Sequence, residues 1–294
     1  MSLEDLQRKI KTTGDMRNIV STMKTLSSAS ILQYEQANRF VEKYKHNLRD
    51  AFQALALQQG FPKVASAKNV KEKHLYILIG SDNGMVGKFN REIMTTAHQQ
   101  IHQQGSVPRQ NLFLPVGKRL VMLAEQKKWP IYARYGISNS VKVVNTLAEN
   151  IILRVDEAIQ KEKVNRVSVI FHHRQQAASV RVETRQIVPF ETQKLQKLRQ
   201  KKWETNNSPL ITLQPQQLFS ALVRESLMLS IAGALNYSLA AEHWTRMTNM
   251  QNAEKNIDEN LAELDKMYQQ QRQEQITDEL IDVISGAASL QKKR

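Results

Sequence analysis

The sequence predicts an α/β protein in which long N- and C-terminal helices form an antiparallel coiled coil around an inserted Rossmann-like three-layer α/β domain. Three observations carry that expectation: where the prolines lie, the spacing of apolar residues at the two ends, and an alternation of strands and helices between them. All seven prolines fall between Pro62 and Pro215. Proline costs about 3 kcal/mol inside a helix, so two long proline-free ends invite a helical reading.

At the N-terminal end Leu3, Leu6, Ile10, Met16, Val20, Met23, Ile31, Tyr34, Val41, Leu48, Phe52 and Leu55 recur mostly at intervals of three and four or their sums. At the other end Leu218, Leu222, Leu235, Leu239, Met247, Met250, Ile257, Leu261, Leu264 and Tyr268 do the same. Sustained spacing of this kind marks a coiled coil rather than surface helices. With a rise of 1.5 Å per residue, the helices would be roughly 80 Å and about 115 Å long. Helices of that length extend as a stalk.

Between them, His74–Gly80 reads as a short buried strand rich in branched residues, followed by a loop and a polar helix over about 91–104. Asn111–Val116 reads as a strand, Lys118–Lys128 as a helix, Ile131–Tyr135 as a third strand and Val141–Glu162 as an amphipathic helix. Arg166–His172 and Val180–Val188 read as two further strands, a hairpin turning near Gln175–Ala178. Strand–helix alternation predicts a layered sheet, with an antiparallel edge where the hairpin closes it. The expected segments are therefore a helix over 1–58, an α/β domain over 59–189, a basic linker over 190–215 and a helix over 216–294.

The net charge of +14 separates these segments. Residues 3–58 carry nine basic and six acidic side chains, and residues 216–294 carry eight and eleven. The middle of the chain therefore holds the whole excess. It raises the alternative of a basic α/β head on a coiled-coil arm, acting as a nucleic-acid or membrane-surface adaptor. Aromatic residues are only 6%, without the aromatic–basic interleaving that single-strand binders use. An enzyme with a coiled-coil arm lacks any assembled acid–base, nucleophile or phosphate-binding set.

No apolar run is expected to reach the roughly 18–20 residues that span a bilayer, because Arg224 and Glu225 interrupt Leu218–Ala241, the best candidate. The opening Met1-Ser2-Leu3-Glu4-Asp5 resembles neither a signal peptide nor a transit peptide. Absence of cysteine excludes disulfides and thiolate metal sites and fits a cytosolic protein. Membrane association is then expected only through a partner.

Two helices flanking one domain should pair antiparallel. If Leu55–Gln58 lies beside Gln216–Phe219, then Leu6 lies near Tyr268, Ile10 near Leu264 and Ile31 near His243, and the first helix is exhausted at about Gln271. Residues 269–275 contain no apolar side chain. Beyond them Ile276, Leu280, Val283, Ile284, Ala287 and Leu290 form a new stripe with no partner left in the chain. Leaving it in water forgoes roughly 1.5–3 kcal/mol for each large side chain that could be buried. The stripe is read as entering an apolar socket in another protein, with the polar band at its mouth; self-association and a fraying amphipathic tail are the alternatives.

Several residues raise a resemblance. Ser238–Asn256, containing Glu242-His243-Trp244-Thr245-Arg246-Met247, resembles the C-terminal signature of the ATP synthase gamma subunit family, and so does Arg272–Leu290, with Arg272-Gln273, Ile276-Thr277, Glu279 and Gly286-Ala287-Ala288. Ser81–Asn90 is similar to the family's loop after its first strand, and Ile10 through Met23-Lys24 to its opening helix.

The resemblance implies a non-catalytic central rotor shaft of a rotary F-type ATP synthase or ATPase, coupling ion flow through a membrane ring to ATP synthesis or hydrolysis. Its implied partners are the alpha and beta subunits of the catalytic hexamer, the epsilon subunit and the ring of c subunits, with no nucleic acid and no cofactor. The implied location is peripheral, on the cytoplasmic face of the plasma (inner) membrane. Arg272, Gln273, Thr277 and Glu279 are assigned polar contacts with alpha and beta loops, and Met23 and Lys24 stator-facing or stalk positions. Glu242 and Arg246 join the partner-contact set, and Ile276, Leu280 and Ile284 supply its apolar tip. Asn83, Val86, Ser28-Ala29-Ser30 and Gln251 depart from the family pattern, as a divergent or auxiliary member would. Without cysteine, thiol control is not expected.

Two other groupings read as structural. Gly80–Lys88 fails as a phosphate loop because Asp82 and Phe89 stand where glycine and a hydroxyl residue are needed, and its glycines do not fit the dinucleotide pattern. His172-His173 would point to opposite faces of a strand, so no metal site is expected. The run Lys194–Lys202 reads as a solvated linker, or as a dock for acidic loops or lipid headgroups.

Overall fold

The computed structural model describes residues 2–58, 73–137, 140–174, 179–190, 198–200, 202–203, 207 and 209–291, with backbone alone for 141, 142 and 286–291. The expected turn at 175–178 and most of the run 194–202 lie outside the described residues. The chain divides into two compact units, Met1–Ser28 with Arg246–Arg294, and Ala29–Thr245.

Helix α1 spans Leu3–Gln58. Ser2 and Asp5 begin it reciprocally: the Asp5 amide donates to Ser2 Oγ at 3.1 Å and the Ser2 amide to Asp5 Oδ2 at 3.2 Å. This pairing satisfies two donors that a helix start leaves open. The next elements are β1 (His74–Ile79), α2 (Phe89–Gln103), β2 (Leu112–Val116), α3 (Lys118–Gln126), α4 (Val141–Lys161), β3 (Arg166–Arg174) and β4 (Val180–Val188). Helix α5 runs over Pro215–Gln291, opening on a proline whose missing N–H costs nothing in a first turn.

The sheet order is β2–β1–β3–β4, with β1 parallel to β2 and β3, and β4 antiparallel to β3. Alternate side chains of β1 enter two cores. Leu75, Ile77 and Ile79 pack with α4, with Tyr34 of α1 and with Ile231, Leu235 and Leu239 of α5. Tyr76 and Leu78 pack with α2 and α3 through Ile93, Ala97, Ile101, Leu120 and Ala124. The three layers expected from strand–helix alternation are therefore present, and the inner part of α5 joins α4 in one of them.

Ile131–Tyr135 does not form the expected strand. It touches β2 through isolated parallel bridges, Phe113 with Ile131 and Val116 with Tyr135. Between them β2 carries Pro115, which has no N–H to donate, so a continuous ladder cannot form.

The bilayer expectation also needs correction. Within α5 the most apolar window of 18 residues has a mean hydropathy of 1.5, so by length and composition this helix could cross a membrane. Ile231, Ala232, Ala234, Leu235, Leu239, Ala240 and Ala241 are instead buried in this fold. A helix enclosed by protein must be apolar on most sides, and that gives the same composition.

Candidate functional site

In the unit built from the two chain ends, α1 and α5 run antiparallel. Gln7 Nε2 donates to the Tyr268 hydroxyl at 2.8 Å, Arg17 Nε to Asp258 Oδ1 at 2.5 Å, and Lys24 Nζ pairs with Glu254. The first two lie within a residue of the register projected from sequence. Lys24–Glu254 is about one helical turn away from it. In the unit 29–245, Tyr34 stacks on His243 at 5.6 Å and the Tyr237 hydroxyl donates to Glu42 Oε1 at 2.7 Å, also about a turn off or more. There α5 is fixed by the sheet core as well as by α1, so a projection from the stripes alone misses its setting.

Beyond Gln271 the helix continues with only exposed side chains as far as Ser285. Ile276 is 47% exposed, Leu280 57%, Val283 69% and Ile284 66%. Thr277 Oγ1 donates back to the Gln273 carbonyl at 2.9 Å, and Gln275 Nε2 to Glu279 Oε1 at 3.2 Å. These bonds are local to the helix. Arg272, Gln273, Thr277 and Glu279 thus lie exposed around an apolar stripe that the described chain leaves uncovered.

The other proposed contact residues sit differently. Met23 is half-buried, and Lys24 is already engaged by Glu254. That ammonium, hydrogen-bonded to Glu254, holds the carboxyl below its ordinary value. Glu242 is 1% exposed and Arg246 5%, so both side chains are buried within this chain. Sequence reasoning missed Asp258 and Glu254. Asp258 carried a signal, because the projected register sets it within a residue of Arg17, whereas Glu254 meets Lys24 only after a shift of about one turn.

Comparison with known proteins bears on this arrangement of two long helices, an exposed tip and an inserted sheet. A family model described as ATP synthase matches residues 2–290. The chain belongs to the ATP synthase gamma chain family. It is 27% identical to the ATP synthase gamma chains of Paramagnetospirillum magneticum and Campylobacter curvus, over 98% of this chain and 99% of each relative. Its fold is similar to a chain of the Euglena gracilis mitochondrial ATP synthase OSCP/F1/c-ring structure, with a TM-score of 0.68 and 17% identity, covering 98% of this chain and 94% of that one. A chain of the Tetrahymena thermophila mitochondrial ATP synthase central stalk and c-ring gives 0.56 at 17% identity, covering 80% and 99%. As a gamma chain it is the non-catalytic central rotor stalk of an F-type ATP synthase, in the peripheral part of that membrane-associated complex.

In this gamma chain the turn after β1 is closed from within. Asn90 Oδ1 accepts from the Ser81 amide at 2.9 Å, and Asn90 Nδ2 donates to Ser81 Oγ at 2.9 Å. Asp82 Oδ1 accepts from the amides of Lys118 at 2.8 Å and Ile137 at 3.0 Å. A carboxylate of the chain itself thus occupies the start of α3, where an external anion would find its donors. Gly80 permits the packing: a Cβ there would lie 2.4 Å from Asn90 Oδ1 and 2.7 Å from Leu120 Cβ.

His172 and His173 face opposite sides of the sheet, as the strand period requires. His172 is buried, stacked on Phe89 at 3.7 Å, with Nε2 3.2 Å from Glu92 Oε2. His173 Nδ1 lies 3.2 Å from Glu183 Oε2, and its ring packs on Tyr237. Each imidazole therefore has a carboxylate that the sequence alone did not place beside it. Burial holds the His172 imidazole well below its ordinary value, and Glu92 opposes that shift. Among the described residues no three His, Asp or Glu side chains converge as a metal site.

Proposed function

We propose that this gamma chain inserts its C-terminal tip into an apolar socket formed by the alpha and beta subunits of the catalytic hexamer. The observation that carries the reading is the exposed stripe of Ile276, Leu280, Val283 and Ile284 beyond the last contact with α1. Arg272, Gln273, Thr277 and Glu279 ring the mouth of the socket as polar contacts, and Met23, lower on the stalk beside the Lys24–Glu254 pair, faces the stator. Lys24 acts within the stalk through Glu254, stiffening the pair of helices that transmits torque. Glu242 and Arg246 support the shaft from its interior instead of meeting a partner directly.

The remaining surfaces belong to the other rotor components. The α/β domain over 59–189, the linker over 190–215 and the nearby stalk bind the epsilon subunit and the c-subunit ring, on the cytoplasmic face of the plasma membrane. The excess of positive charge in this middle segment suits acidic loops of the ring. Rotation of an asymmetric shaft presents different side chains to successive catalytic subunits, and differential contact is what shifts each between states of different affinity.

The test is co-expression with alpha- and beta-type subunits, comparing the full chain with one ending at Gln275. The full chain should join the hexamer at one copy per three alpha–beta pairs. The truncated chain should bind far more weakly while its sheet unit stays folded by circular dichroism. Equal binding by both chains would remove the socket.

A further inference from the structure

His98 and His102 stand one turn apart on the exposed face of α2, and the stalk function makes no use of them. The opposite face of that helix is anchored in the core by Ile93, Met94, Ala97 and Ile101, so the backbone carrying the two imidazoles is held firmly. Their Nε2 atoms lie 3.1 Å apart, with ring centroids 4.3 Å apart and planes inclined at 62°.

That separation is one hydrogen bond between the two imidazoles. It is also the bite of a chelate. Metal–nitrogen bonds of about 2.0–2.1 Å span about 2.9 Å when they meet at a right angle and about 3.3 Å at a tetrahedral angle. The observed spacing falls between these limits, so a metal ion could bridge both nitrogens with little movement of either ring.

The surroundings suit a cation unusually well for so basic a chain. From Ile93 to Pro108 there is no Lys, Arg, Asp or Glu, although the protein carries 42 basic side chains. Neighbouring residues of the helix therefore neither repel a metal ion nor tie the imidazoles up in ion pairs. The other histidines are engaged elsewhere. His46 is paired with Asp50, His74 with Gln104 and Ser168, His172 with Glu92 and His173 with Glu183, while His243 is buried against Tyr34. With no cysteine in the chain, no thiolate competes.

We propose that His98 and His102 form a two-imidazole site for a divalent late first-row transition metal ion, each contributing Nε2 and water filling the remaining positions. Imidazole nitrogen and the general affinity order make Cu²⁺ the tightest occupant, ahead of Ni²⁺ and Zn²⁺.

The experiment is calorimetric titration of the metal-free, full-length chain with Cu²⁺ alone, alongside His98→Gln, His102→Gln and His46→Gln. All three altered positions are exposed, and circular dichroism checks that each variant stays folded. The parent should bind one ion, and either α2 variant should weaken binding about 100-fold as the chelate is lost. His46→Gln should leave affinity unchanged. Electron paramagnetic resonance should show two coordinating nitrogens in the parent and one in each α2 variant. No binding by the parent, or α2 variants that bind as tightly with the same nitrogen count, would overturn the site.

Discussion

In the unit formed by residues 29–245, β1 is buried on both faces, and two apolar clusters fill the space on either side of the sheet. In the unit formed by the chain ends, Leu6, Met250 and Leu264 are the buried large apolar side chains among the described residues. Its helices are joined in addition by Gln7–Tyr268, Arg17–Asp258 and Lys24–Glu254. Hydrophobic burial scales with area removed from water, whereas exposed ion pairs contribute little. The sheet unit can therefore hold itself together, while the paired ends keep apolar surface available for something outside the chain. The contrast fits a shaft that is gripped at one part and self-sufficient at another.

The largest test of this contrast is a core truncation. Phe171→Ala in β3 should destabilise the sheet unit by about 3–5 kcal/mol, read from its urea unfolding midpoint. Leu264→Ala in the paired ends should cost less, about 1–2 kcal/mol, because its solvent-flanked groove can close partly around the gap. Equal losses would break the comparison.

Acid should act chiefly on the sheet unit. His74 is buried, and desolvation lowers its imidazole from 6.5 to about 4. Below about pH 6.5 the unfolded chain takes up this proton while the folded chain does not, so stability falls from there toward about pH 4. A shift of this size amounts to roughly 3 kcal/mol once fully expressed. His172 is lowered in the same direction by its burial and adds to the slope. A His74→Gln chain, which has no proton to gain there, should show a shallower loss of unfolding free energy between pH 6.5 and 4.5. A slope equal to the parent's would remove His74 from the account.

The smallest effect is a gain at the chain ends. Gly14 lies within α1, and a Cβ built there meets nothing within 4 Å. Gly14→Ala should stabilise the helix by about 0.5–1 kcal/mol through backbone entropy alone, seen as slower hydrogen exchange of neighbouring amides. In the sheet unit the same change at Gly80 should destabilise, because its Cβ would strike Asn90 and Leu120. Opposite signs from one substitution would sharpen the comparison, and like signs would blunt it.

Much of this molecule was legible in order of residues. The proline-free ends, the three-and-four spacing and the branched strand segments located both long helices, the parallel core of the sheet and its antiparallel edge. Even the exposed tip followed from a mismatch in helix length, because the position where α1 runs out depends only on the chain being folded back once. These features rest on local periodicity, which a sequence carries directly.

Other features needed the third dimension. Glu242 and Arg246 entered the partner-contact set through the family resemblance, and only the folded chain shows that both side chains are buried. Asp82 closes the turn after β1 only because the fold brings the amides of Lys118 and Ile137 to it. Ile131–Tyr135 has a strand's composition but lies beside a proline that cannot complete a ladder. A sequence determines which faces are apolar and how far a helix can run. What covers a face, and which polar group meets which, is set by contacts between distant segments that exist only once the chain has folded.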